Sequence, residues 1–169
     1  MTEAVAGAED RWAIAVLLHV YCEALDSMDL DRLRSVFTAD CEVAFGPDER
    51  LNAAGVDRLI AALSRLGRWR RTSHHLSNVR IDFDGANAAE VVSYVIAWHE
   101  RSDRSTATLY GVYRDRLVRT ASGWRISTRR QEMNGADAGF SVGIFPAMRL
   151  PPPEGWVAPQ VDEPATRSS

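Results

Sequence analysis

One change of hydrophobic period, close to Gly67, decides what this chain can fold into. Before it, apolar residues recur with the period of a helix; after it, with the period of a strand. From about Asp10 onward, Ile14, Leu17, Leu18, Tyr21, Cys22 and Leu25 fall at helical spacing. Asp29 reads as the N-cap of a second helix, DLDRLRSVF, whose apolar face is Leu30, Leu33, Val36 and Phe37. CEVAFG alternates as a short strand that ends at the turn GPDE, and AAGVDRLIAALSRL supplies a third helix through Val56, Leu59, Ile60, Leu63 and Leu66. Four strand-like runs follow: HHLSNVRIDFDG, AAEVVSYVIAWHE, TATLYGVYRDRLVRT and GWRISTRRQEM. Turn-forming DGAN, RSDRS and TASG separate them. Helices followed by a meander predict an α+β domain, with N-terminal helices covering a curved antiparallel sheet and an apolar pocket enclosed between them.

A chain of 169 residues suits one such domain. The periodic part spans 10–150. Residues 1–9 read as a flexible tail, and 151–169, which begin PPPEGW, as an extended or disordered one. The apolar residues Phe140, Val142, Ile144 and Phe145 predict that 135–150 pack over a pocket mouth or a subunit neighbour.

Several function classes are excluded by what the chain lacks. No apolar run approaches the roughly 20 residues needed to cross a bilayer, and MTEAVAGAEDRW has neither the basic nor the apolar region of a signal peptide. Cys22 and Cys41 have no metal-ligand or redox spacing, so two buried free thiols in a reducing cytoplasm are expected. A net charge of −3 argues against nucleic acid as a partner, and the run Arg68, Arg70, Arg71 reads as a solvated loop. All 20 basic residues are arginine, which removes Schiff-base, phosphate-loop and general-base lysines. No metal site or cofactor motif is present, and the expected partner is a hydrophobic small molecule.

The order of elements, with the strings YCEALDSMDLDRLRSVFTADCEV, TSHHLSNVRIDFDG and YRDRLVRTASGWRISTRR, resembles the SnoaL-like branch of the nuclear transport factor 2-like superfamily over about residues 10–132. That resemblance implies a cone-shaped α+β fold with a deep pocket, usually dimeric through the outer sheet face. It does not fix an activity, because the fold hosts lyases, isomerases, cyclases and binding proteins. Within the superfamily the chain is most similar to the Asp–His lyases of the scytalone dehydratase, bile-acid 7α-dehydratase and hexachlorocyclohexane dehydrochlorinase type. The resemblance places the dyad on Asp26 and His74, a pocket tyrosine on Tyr21, and a last-strand arginine on Arg129 or Arg130.

These residue types suit the chemistry. Removing a proton beside a leaving hydroxyl or halide needs a base of near-neutral pKa, which histidine supplies. A carboxylate on one ring nitrogen fixes the tautomer and stabilises the imidazolium. Asp26 follows Cys22 by four residues and so sits beside the buried stripe of the first helix. On that stripe, Tyr21 offers a phenol to a leaving group or oxyanion. Alternation through Val79, Ile81 and Phe83 directs His75 inward rather than His74, unless the strand bulges between His75 and Val79. Tyr94, Trp98, Tyr113, Arg129 and Phe140 are the candidates for contact with substrate, with Met133 and Asn134 near the mouth. His19 and His99 are assigned to surface or hydrogen-bonded positions. The expected function is a cofactor-independent lyase or isomerase acting by dehydratase-like proton abstraction on a hydrophobic oxygenated molecule such as a polyketide, steroid or terpenoid. The alternatives are a polyketide-type cyclase acting by shape and a non-catalytic ligand-binding or assembly subunit.

Overall fold

Residues 7–157 are described by a computed structural model. Helices α1 (Ala8–Ser27) and α2 (Leu30–Val36), strands β1 (Phe37–Ala44) and β2 (Ala53–Ala54), and helix α3 (Val56–Leu63) occupy the first part. The meander follows as β3 (Arg71–Asp84), β4 (Ala88–Glu100), β5 (Thr106–Thr120) and β6 (Gly123–Ala136), with a two-residue β7 (Phe145–Pro146). Short 3₁₀ turns lie at Glu49–Leu51 and Ser64–Arg68.

The helices form where the apolar spacing places them. Ile14, Leu18, Tyr21, Cys22 and Leu25 are buried along α1, and Val56, Leu59, Ile60 and Leu63 along α3. At the start of α1 the Asp10 carboxylate accepts from the Gly7 amide at 3.4 Å and from the Trp124 indole at 3.1 Å, which ties the helix to β6. Its end is made by Met28, which takes the left-handed conformation (φ 56°). Asp29 then caps α2 by accepting from the Arg32 amide at 3.0 Å. The first strand begins earlier than CEVAFG suggests, because Phe37 is already extended.

One sheet has the order β2-β1-β6-β5-β4-β3, with β7 beside β6. The meander is antiparallel, whereas β1 runs parallel to β6. Three irregularities bend it, at Ser77/Arg80 on β3 and opposite Tyr110/Gly111 and Arg116/Leu117 on β5. α1 and α3 lie on its inner face, which carries Ala89, Val91, Val95, Ala97, Leu109, Tyr113 and Leu117 as the sheet side of the core.

After β6 the chain turns back over this layer. Phe140 and Val142 pack partly buried against the core, and Ile144 is buried within it. The close approach depends on glycine: a Cβ at Gly139 would lie 2.1 Å from the Thr106 carbonyl oxygen. Residues 151–157 are exposed and carry no helix or strand, while 1–6 and 158–169, to which most of the two expected tails belong, lie outside the described residues. Among the described residues no helix is long and apolar enough to cross a membrane.

Candidate active site

Asp26 stands in the last turn of α1, where the helix edge faces the start of β3. Its Oδ1 lies 2.6 Å from His74 Nδ1 and accepts from the Thr72 hydroxyl at 2.8 Å. Its Oδ2 accepts from the His74 backbone amide, also at 2.8 Å. One carboxylate therefore holds both the ring and the backbone of the same histidine. Burial alone would raise the Asp26 pKa, but the bonds from the His74 ring and amide, its charge, and the Thr72 hydroxyl together bring it below the ordinary carboxylate value. An ionised carboxylate only accepts, so the Nδ1 that faces it carries a proton. The His74 side chain is 4% exposed, lines the inner cavity, and Nε2 has no hydrogen-bond partner among the described residues.

A bulge selects His74 over its neighbour. Ser77 pairs with Tyr94 and Arg80 with Val92, so Asn78 and Val79 together face Ser93 alone. Asn78 has φ 50°, a left-handed value that asparagine tolerates. The extra residue reverses the parity of β3, so that His74 and Leu76 share the inner face with Ile81 and Phe83. His75 is exposed and pairs with the Ser73 hydroxyl at 2.9 Å.

The cavity, of about 180 Å³, lies between α1, α3, the inner sheet face and the segment after β6. Tyr21, Tyr113 and Phe140 line it. Tyr21 meets Tyr113 edge to face, with ring centroids 5.9 Å apart. Burial raises the pKa of both phenols, so both remain protonated donors at neutral pH.

Arg129 does not line this cavity; it backs the wall. Its guanidinium lies 4.1 Å from the ring centroids of both Tyr21 and Tyr113. It also donates twice to the Asp115 carboxylate, at 2.8 and 2.7 Å. Both charged side chains are fully buried, and Arg129 Nη1 has no hydrogen-bond partner among the described residues. Ser127 is the extra residue opposite Arg116/Leu117, and it turns Arg129 inward beside Trp124 and Ile126.

Two expected substrate contacts are corrected. Tyr94 is 42% exposed and Trp98 is half-buried on the outer sheet face. The inner face of β4 belongs to Val91, Ser93, Val95, Ala97 and His99, and no bulge reverses it. Met133 and Asn134 fall at an irregularity of β6, and neither lines the cavity. His99 is the residue the sequence reading missed: it is buried, lines the cavity and stands edge-on to His74 with ring centroids 5.6 Å apart. Its Nδ1 donates to the Ala107 carbonyl at 3.2 Å, while burial and the nearby His74 lower its pKa. The parity of Val95 and Ala97 was the signal that could have found it. Gln131, also buried, adds an amide that has no side-chain hydrogen bond among the described residues. Among those residues no group of three or more His, Cys, Asp or Glu is placed to hold a metal.

Known proteins share this fold. The SnoaL-like domain profile matches residues 6–130. A candidate scytalone dehydratase from Novosphingobium aromaticivorans DSM 12444 is 31% identical, with a TM-score of 0.78 over 83% of this chain and 95% of that one. A candidate aromatic ring hydroxylase from Novosphingobium aromaticivorans is 22% identical, with a TM-score of 0.71 over 78% and 94% of the two chains. The hexachlorocyclohexane dehydrochlorinase LinA-type3 of Novosphingobium barchaimii LL02 is 20% identical, with a TM-score of 0.67 over 84% and 94%. No curated protein sequence matches the chain. A profile match over most of the chain, a relative above 30% identity and the helix-covered curved sheet agree, and the protein belongs to the SnoaL-like domain family.

Proposed function

We propose that the protein is a cofactor-independent lyase or isomerase that removes a proton from a hydrophobic, oxygenated small molecule. The observation that carries this reading is the Asp26–His74 contact at 2.6 Å, with the free Nε2 turned to an otherwise largely apolar cavity. A lyase-type or ligand-binding role also fits a family whose solved members include proteins described as a dehydratase and a dehydrochlorinase.

In the proposed reaction Nε2 takes a proton from an acidic C–H, and the electron pair of that bond moves into the substrate. Asp26 holds the tautomer and balances the imidazolium as it forms. Tyr21, with Tyr113 beside it, donates a hydrogen bond to the oxygen on which negative charge develops. In a dehydration the pair forms a C=C bond as the β-hydroxyl departs and takes the proton held by the imidazolium, leaving as water and returning the ring to its neutral form. In an isomerisation the imidazolium returns the proton to another carbon. Phe140, on the segment over the cavity, covers the apolar part of the substrate.

The test is exchange in deuterated water. Hydroxylated polyketides, steroids and terpenoids are incubated with the protein, and deuterium uptake or loss of water is followed by mass spectrometry. For a substrate found this way, His74→Ala and Asp26→Asn should each lower turnover by about 10²–10⁴-fold. Unchanged turnover in both variants would overturn the mechanism. We further propose that two copies pair through the outer sheet face, where Tyr94, Ile96 and Tyr110 remain 42 to 48% exposed.

A further inference from the structure

The lining of the cavity has an asymmetry that proton abstraction does not use. Three arginines, Arg50, Arg65 and Arg68, line it, and among the described residues no aspartate or glutamate does. The imbalance is local, since the whole chain carries 23 acidic residues against 20 basic ones.

The local geometry explains how the charges gather. Arg65 and Arg68 both lie in the 3₁₀ turn Ser64–Arg68. Such a turn has three residues per turn, so positions three apart eclipse and the two side chains leave from one face. Arg50 joins them from the neighbouring 3₁₀ turn, where the Arg65 guanidinium donates to the Arg50 carbonyl at 3.1 Å. Asp48 neutralises Arg50 through a 2.6 Å ion pair. Arg65 and Arg68 have no carboxylate within ion-pair distance among the described residues. Arg68 instead lies over the Trp69 ring, 5.4 Å from its centroid, and Trp69 itself lines the cavity. Of the basic run read from the sequence as a solvated loop, Arg70 is taken up by Glu100 and Arg71 does not line the cavity, whereas Arg68 stands at its rim.

From this we infer that the ligand of the cavity is an amphipathic anion: an apolar body that reaches His74, with a carboxylate, sulfate or phosphate group held at the rim by Arg65 and Arg68. Guanidinium forks match the geometry of such oxoanions. A rim of unpaired positive charge also draws the anion toward the opening. The inference rests on the cavity being the substrate site and is independent of what the dyad does there.

Two fluorescent probes with the same aromatic body test it: 8-anilinonaphthalene-1-sulfonate, an anion, and N-phenyl-1-naphthylamine, which is neutral. Each is titrated against the wild type, Arg65→Ser/Arg68→Ser, and the control Arg58→Ser/Arg149→Ser, whose exposed arginines do not line the cavity. Losing two charge-assisted contacts should weaken the sulfonate about tenfold in the rim variant only, while the neutral probe stays within about twofold in all three proteins. Raising salt from about 50 to 500 mM should weaken the sulfonate on the wild type and not on the rim variant. Because the readout is the difference between variants, probe adsorbed on the outer sheet face cancels. Equal affinity of the sulfonate for wild type and rim variant, a matching loss of the neutral probe, or no difference from the control pair overturns the inference. His74→Ala separates the two readings. It should lower turnover by about 10²–10⁴-fold, while adding Arg65→Ser/Arg68→Ser to it should still weaken the sulfonate about tenfold relative to His74→Ala alone, so a failure of the dyad mechanism and a failure of the anion rim appear in different measurements.

Discussion

Asp26 accepts three hydrogen bonds, and only one comes from the ring it is proposed to orient. Asp26→Asn therefore tests structure and chemistry together. An amide cannot accept all three, so the variant should lose about 1–3 kcal/mol in urea unfolding at pH 7. Its folded-state pKa is depressed, so the stability Asp26 contributes is present above the ordinary value near 4 and is lost as pH falls through the lower folded value. The gap between wild type and Asp26→Asn should accordingly close below about pH 4. His99 works in a different window. Burial and the nearby His74 depress its pKa, so the unfolded chain takes up a proton near pH 6.5 that the folded chain refuses. Wild-type Tm should fall between about pH 6.5 and 5, and His99→Gln should flatten that fall. The same fall in both proteins would remove His99 from the account. Arg129 makes the third case. Arg129→Met leaves Asp115 buried without its partner and should cost about 3–5 kcal/mol, most of it recovered in Arg129→Met/Asp115→Leu. The comparison is made by chemical denaturation of the single and double variants.

At the scale of elements, the bulge of β3 decides which histidine meets Asp26. Asn78 holds a left-handed φ of 50°, which a β-branched residue reaches only with strain. Asn78→Val should therefore lower stability by about 1–2 kcal/mol, while Asn78→Gly should be tolerated. The nitrogen-15 shifts of the His74 ring offer a second readout, because loss of the bulge would turn His75 inward and break the contact with Asp26. This position also marks the limit of what the sequence reveals. Periodicity located α1, α2, α3 and the meander, since each buries one face and the apolar spacing records that face directly. A bulge adds one residue without altering the kind of residues around it, so the alternation through Val79, Ile81 and Phe83 pointed to His75, and only the family pattern pointed to His74. The inward turn of Arg129 past Ser127 was hidden for the same reason. Tyr94 and Trp98 failed differently. Large aromatic side chains suggested a pocket wall, yet β4 has no bulge, and it is the small Ala97 that faces inward and lines the cavity. His99 follows the same parity, and the strand itself carried the information that the weight given to aromatics concealed.

For the whole molecule, the open question of physical chemistry is what covers the outer face of the sheet. Ile96 and Tyr110 are cross-strand neighbours, and Tyr94 lies two residues along the same face of β4. All three are more than 40% exposed. Such a contiguous apolar patch favours association. The edge of the sheet is a poorer surface for pairing. β3 ends the strand order, and it carries Arg80 and Asp82, an ion pair, together with the Asn78 bulge that interrupts its ladder. Charge and a bulge on an edge strand are features that block strand addition. Face-to-face packing of two copies is therefore the association we propose, and it would leave both cavities open because they lie on the inner side of each sheet. Sedimentation equilibrium on the wild type should report a dimer at micromolar concentration. Ile96→Glu places a charge at the centre of the patch and should shift the protein to monomer, while the inner core and the Asp26–His74 contact are untouched. The monomeric variant should still bind the aromatic probes with wild-type affinity at the cavity. A wild type that stays monomeric at every concentration would defeat the pairing. A variant that loses cavity binding on becoming monomeric would show instead that the second copy is needed to hold the sheet in its curved form.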